Sequence, residues 1–73
     1  METSLLHQLW HIINETQTKI VLELDDLNLV KYISIELGKK RILSFEEDNL
    51  VRCYIAAKIP LIRDLANARL WNF

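Results

Sequence analysis

Only Gly38 and Pro60, in a chain of 73 residues, belong to the two residue types that most often punctuate a fold. Folds built from many tight turns draw heavily on both types. One of each leaves room for long regular elements joined by two or three short connections. The expected fold class is therefore all-α: three helices, a long third helix kinked at Pro60, and a helical bundle completed by self-association. The whole of 1–73 reads as a single domain.

The first segment runs from Ser4, a plausible N-cap, to Leu24. Leu6, Trp10, Ile13, Ile20 and Leu24 recur at helical spacing, and the stripe thins at Thr16-Gln17-Thr18. The pattern predicts one long helix, with a strand over Lys19–Leu24 as the rival. Asp25 or Asp26 then caps a second helix carrying Leu29, Val30, Ile33 and Leu37. Gly38 sits where a helix favours a left-handed terminal residue. The alternation Tyr32-Ile33-Ser34-Ile35-Glu36-Leu37 admits a hairpin returning through Arg41-Ile42-Leu43. Helix is the favoured reading.

The third segment has the clearest start. Ser44-Phe45-Glu46-Glu47 matches a capping box, in which hydroxyl and carboxylate each bond the other residue's amide. Two apolar rows follow. One holds Leu50, Tyr54, Ala57, Leu61, Leu65 and Ala68; the next holds Val51, Ile55, Ile62, Ala66 and Leu70. Arg52, Arg63 and Pro60 are expected on the far side. Pro60 lacks an amide hydrogen and crowds the carbonyl of Ala56, so the element bends there or breaks into two helices.

Chemistry-bearing patterns are sparse. His7 and His11 have the four-residue spacing of helical metal ligands, but two ligands do not make a site, and Gln8 stands where a zinc protease motif has Glu. Lys39-Lys40-Arg41 is the one basic cluster, against a net charge of −1. A nucleic-acid reader needs more positive charge on one face, and Glu46, Glu47 and Asp48 repel phosphate at the next helix start. Those three neighbours do not converge on one point as catalytic carboxylates do. No triad and no phosphate loop is present, so no enzyme, metal or cofactor is expected. Cys53 is the lone cysteine, which rules out a disulfide within the chain and favours a reducing, cytoplasmic setting. Met1-Glu2-Thr3-Ser4 lacks the positive start of a secretion signal, and no run reaches a bilayer-spanning length. Nucleic-acid and peripheral membrane binding are the minor alternatives.

The strings Leu9-Trp10, Glu15-Thr16-Gln17, Leu24-Asp25-Asp26 and Leu29-Val30, with the later Tyr54-Ile55 and Leu61-Ile62-Arg63-Asp64-Leu65-Ala66, resemble a group of small uncharacterised cyanobacterial helical proteins. The likeness spans most of the chain. It implies helix over strand in the middle segment; it implies no activity and no site residues.

Half of the residues are apolar. A chain this short hides only about 60% of its unfolded surface and gains no more than ~3–5 kcal/mol from one core. Leu22, Ile35, Ile42 and Leu43 find no place in a three-helix monomer. Such surplus apolar surface marks an association face. The expected partner is a second copy, giving a homodimer, or an unidentified protein. The candidate interface comprises Trp10 and Ile13 of the first helix and Tyr54, Leu61, Ile62 and Leu65 of the third. The aromatic residues Trp71 and Phe73 complete it. The function expected is a small non-catalytic interaction or regulatory module.

Overall fold

The computed structural model describes residues 1–71, and of Trp71 the backbone alone. The all-α expectation holds: every regular element among the described residues is a helix. Among the described residues there are four helices where three were expected: α1 (Thr3–Glu15), α2 (Thr18–Glu23), α3 (Asp26–Lys40) and α4 (Phe45–Trp71).

The added break falls where the apolar stripe thins. Thr16 turns extended, with ψ 133°, and its hydroxyl donates to the Ile12 carbonyl at 2.8 Å. Threonine hydroxyls compete in this way with the helical hydrogen-bond ladder. The single helix over Ser4–Leu24 is thus replaced by two, and the rival strand over Lys19–Leu24 is a helical turn. Ser4 is not the N-cap either: α1 opens at Thr3 behind Glu2, whose side chain makes no capping bond.

α3 settles the choice between helix and hairpin for helix. Asp25 Oδ1 accepts from the Asn28 amide at 2.8 Å, and Lys39 and Lys40 sit at the negative end of the helix dipole. Gly38 does not terminate it. That residue lies inside the last turn without a positive φ, and Arg41, with φ −156°, is the C-cap. Buried Leu37 anchors the turn, and its carbonyl accepts from the Arg41 amide at 3.2 Å.

α4 opens on the capping box. The Glu47 amide donates to Ser44 Oγ, and the Ser44 amide to Glu47 Oε1, both at 3.1 Å. The helix runs unbroken through Pro60. Ala56 and Pro60 are both exposed, so the carbonyl that loses its partner lies on the watered side. Its 27 residues, at about 1.5 Å each, match the 38 Å long axis of the molecule.

α3 and α2 both pack on α4, and α1 packs on α3. The core gathers Leu5, Leu9, Ile12 and Ile13 of α1, Val21 of α2, and Leu29, Val30, Ile33 and Leu37 of α3. α4 contributes Val51, Ile55, Ile59, Ile62 and Ala66. Leu22 and Leu43, unplaced in the sequence reading, are half-buried against this core.

Arg63 departs from its expected place on the far side. It folds under α2, donating from Nη1 to the Val21 carbonyl at 2.8 Å and from Nη2 to the Leu24 carbonyl at 2.9 Å and Asp26 Oδ1 at 2.8 Å. The unpaired carbonyls at the end of α2 thereby gain a charged donor. Arg69 reaches the other break, donating to the Thr16 carbonyl at 3.3 Å and Asn14 Oδ1 at 3.4 Å. Buried Ser34 donates to Asp48 Oδ1 at 3.0 Å, and among the described residues no buried side-chain nitrogen or oxygen lacks a partner.

Two stability predictions follow from these contacts. A Cβ at Gly38 meets nothing within 4 Å, so Gly38→Ala is expected to raise urea-unfolding stability by about 1 kcal/mol. A left-handed cap there would instead make the substitution destabilising. Arg63→Met is expected to cost about 2 kcal/mol in the same assay, by leaving two part-buried carbonyls without their charged donor.

Candidate functional site

At 3.6 residues per turn, the two apolar rows of α4 point to different sides. Val51, Ile55, Ile62 and Ala66 face the core, joined by Ile59, which the sequence reading left out. Leu50, Leu61 and Leu65 of the other row are exposed, at 56%, 45% and 39%, and Ala57 and Ala68 with them. Leu70 is exposed as well, so its row turns outward at that end.

The outward side has a middle without charge. Leu50, Cys53, Ala56, Ala57, Pro60 and Leu61 are all exposed, and no ionisable group other than the Cys53 thiol lies among them. Glu46 stands on this side one turn before Leu50, and Asp64 one turn after Leu61. Lys58, at the flank, lays its Nζ 5.7 Å from the Tyr54 ring centroid, a contact that shields aromatic surface and carries cation–π attraction.

The other candidate interface residues are placed differently. Ile13 and Ile62 are inside the chain's own core. Trp10 and Tyr54 are half-buried and bonded to each other. Trp10 Nε1 donates to the Tyr54 hydroxyl at 2.9 Å, and the rings meet edge to face with centroids 6.3 Å apart. This pair ties α1 to α4. Leu61 and Leu65 are on the outward side. Trp71 ends α4, and its side chain and Phe73 lie outside the described residues.

The remaining sequence candidates separate in the same way. His11 Nε2 is 3.1 Å from Glu15 Oε1, both exposed on α1. His7 and His11 line a cleft of about 230 Å³ with Gln8, Ile12 and Lys40. Among the described residues no group of three or more His, Cys, Asp or Glu is placed to hold a metal ion. The basic cluster is divided. Lys39 Nζ meets Glu36 at 3.4 Å, while Arg41 donates to Gln8 at 3.0 Å and lies 3.8 Å from Glu2. Glu47 belongs to the cap, and Asp48 accepts from Ser34 and Arg52. No helix among the described residues is long and apolar enough to cross a membrane. Ile35, Ile42 and Phe45 are further exposed apolar residues, the last two at 95% and 81%.

No family model matches this chain, and neither a curated protein nor a solved structure does.

The Glu47 carboxyl binds a proton less readily than an ordinary glutamate. The hydrogen bonds from the Ser44 amide and hydroxyl hold its pKa below the usual glutamate value. The ionised form is therefore the one favoured by folding. Its stabilising contribution is complete above the unfolded-state pKa and is lost as pH falls through the lowered folded value. Urea midpoints measured across the acid range should fall less steeply for Glu47→Gln than for the native chain.

Proposed function

We propose that this chain is a small, non-catalytic protein–protein interaction module whose working form is a self-associated pair. The supporting observation is the exposed outward face of α4 between Leu50 and Leu61, formed by Leu50, Cys53, Ala56, Ala57, Pro60 and Leu61, with Arg52 and Lys58 off that face. Burial of such surface is the main favourable term in protein association, and contiguous apolar patches on small domains mark contact sites. A core supplied by 73 residues also gains from burying a second surface. The capping and bonding roles of Glu47 and Asp48, and a His7–His11 pair with no third ligand, give little support to an enzyme. Division of the basic cluster among Glu36, Gln8 and Glu2 weakens the nucleic-acid alternative. A cytoplasmic setting, with Cys53 reduced, belongs to the same reading.

Light scattering after size exclusion tests the reading. At micromolar concentration the native chain is expected at twice its monomer mass, and Leu61→Glu at the monomer mass with an unchanged helical circular dichroism spectrum. A native chain that stays monomeric and folded throughout the micromolar range overturns the proposal.

A further inference from the structure

We infer that α1 is an exchangeable arm: two copies trade their α1 helices about Thr16-Gln17, and in the exchanged pair α1 and α2 run on as one helix. This goes beyond the pairing proposed above and does not rest on it, because exchange leaves the outward face of α4 free.

The break between α1 and α2 is one that the chain can close. From Thr3 to Glu23 there is neither glycine nor proline, the two residues that a helix interior tolerates least. The inward stripe also keeps its phase across the break. Leu5, Leu9 and Ile12 of α1, Thr16 at the break and Ile20 of α2 are buried or half-buried, and they follow one another at the three- and four-residue spacing of a single helix.

Closing the break gains more local contacts than it loses. The first amides of a helix have no partner within it, and α2 has only six residues. Joined to α1, those amides meet the carbonyls of its last turn. Glu15 then stands one helical turn before Lys19, the order that favours an ion pair along a helix. The bond from the Thr16 hydroxyl to the Ile12 carbonyl survives, since threonine makes it inside helices too. What is lost is the 3.3 Å bond from Arg69 to the Thr16 carbonyl, which a continuous helix supplies with the Ile20 amide instead.

The turn at Thr16-Gln17 is also what brings α1 onto α3 of its own chain. Without it, Leu5, Leu9, Ile12 and Ile13 are carried away from their core. The seat they leave fits one occupant by identity, the α1 of a second copy. The polar contacts of α1 with the rest of the chain re-form between the copies: Trp10 with Tyr54, Gln8 and Glu2 with Arg41, and Asn14 with Arg69. Exchange of identical elements is therefore a low-cost route to a closed pair. Withdrawal of four buried side chains makes it slow, so it needs high concentration and time.

Gln17→Pro separates the two forms. Gln17 has φ −58°, which proline fits, and Thr16, with ψ 133°, has the extended backbone that suits the residue before proline. The unexchanged fold accepts this substitution and a continuous helix does not. The experiment uses Leu61→Glu as its parent, so that contacts through the outward face of α4 play no part. The parent, the parent with Gln17→Pro, and the parent with Thr16→Ala and Thr18→Ala are incubated at millimolar concentration. Each is then diluted to micromolar and resolved at once by size exclusion with light scattering. A dimer that survives dilution is expected in the parent, none with Gln17→Pro, and at least threefold more with the two alanines, which favour the continuous helix. Surviving dimer in a folded Gln17→Pro form overturns the inference, as does its absence from both other forms. Should the proline form fail to fold, the alanine form decides, and no rise in dimer over the parent overturns the inference. The mass of the native chain at micromolar concentration reports separately on pairing through α4, which stands or falls without this result.

Discussion

The inner row of α4 is the surface on which the rest of the molecule is assembled. Val51, Ile55, Ile59, Ile62 and Ala66 are almost fully buried and follow one another along a helix as long as the molecule itself. α2 and α3 pack directly on α4, and α1 is carried by α3 and by the Trp10–Tyr54 contact. Hydrophobic burial supplies the attraction but little direction. Direction comes from arginines projecting from the same helix. Arg63 and Arg69 reach the carbonyls at the two breaks that separate α1, α2 and α3. One helix therefore provides both the apolar floor and the polar partners that make a three-part layer stable without a glycine or a proline at either break.

The parts of this fold set by local chemistry were legible in the sequence. Ser44 and Glu47 form the reciprocal cap that their spacing predicts, Asp25 caps α3, and the middle segment is helical. The parts set at long range were not. Thr16 and Leu24 end their helices with carbonyl partners that lie some forty to fifty residues further along the chain. The thinned stripe at Thr16-Gln17-Thr18 marks a weak point locally, but whether the helix continues past it is decided by these distant partners. Gly38 misled for the opposite reason: a residue that suits a left-handed cap also fits an ordinary helical turn when Leu37 beneath it is buried.

Which of the two apolar rows faces inward was also undecided by periodicity, because both have helical spacing. Composition held the missing signal. The buried row is β-branched at Val51, Ile55, Ile59 and Ile62, whereas the exposed members of the other row, Leu50, Ala57, Leu61, Leu65 and Ala68, are leucine and alanine. Stiff, branched side chains pack at fixed geometry. Several candidate contact residues were consequently found in the interior, as Ile13 and Ile62 show. Of the four residues that found no place in the sequence reading, Ile35 and Ile42 are exposed and Leu22 and Leu43 are half-buried, while Leu50, Leu61 and Leu65 add to the exposed set.

A two-sided α4, with one side bound to its own chain and the other proposed to take a second copy, is the centre of this account. Its most direct test is the rate at which Cys53 reacts with a small maleimide, compared between the native chain and Leu61→Glu at equal micromolar concentration. The account predicts slower reaction in the native chain, where a second copy covers the thiol. Equal rates, or a faster native chain, would contradict the claim that this face is occupied in solution.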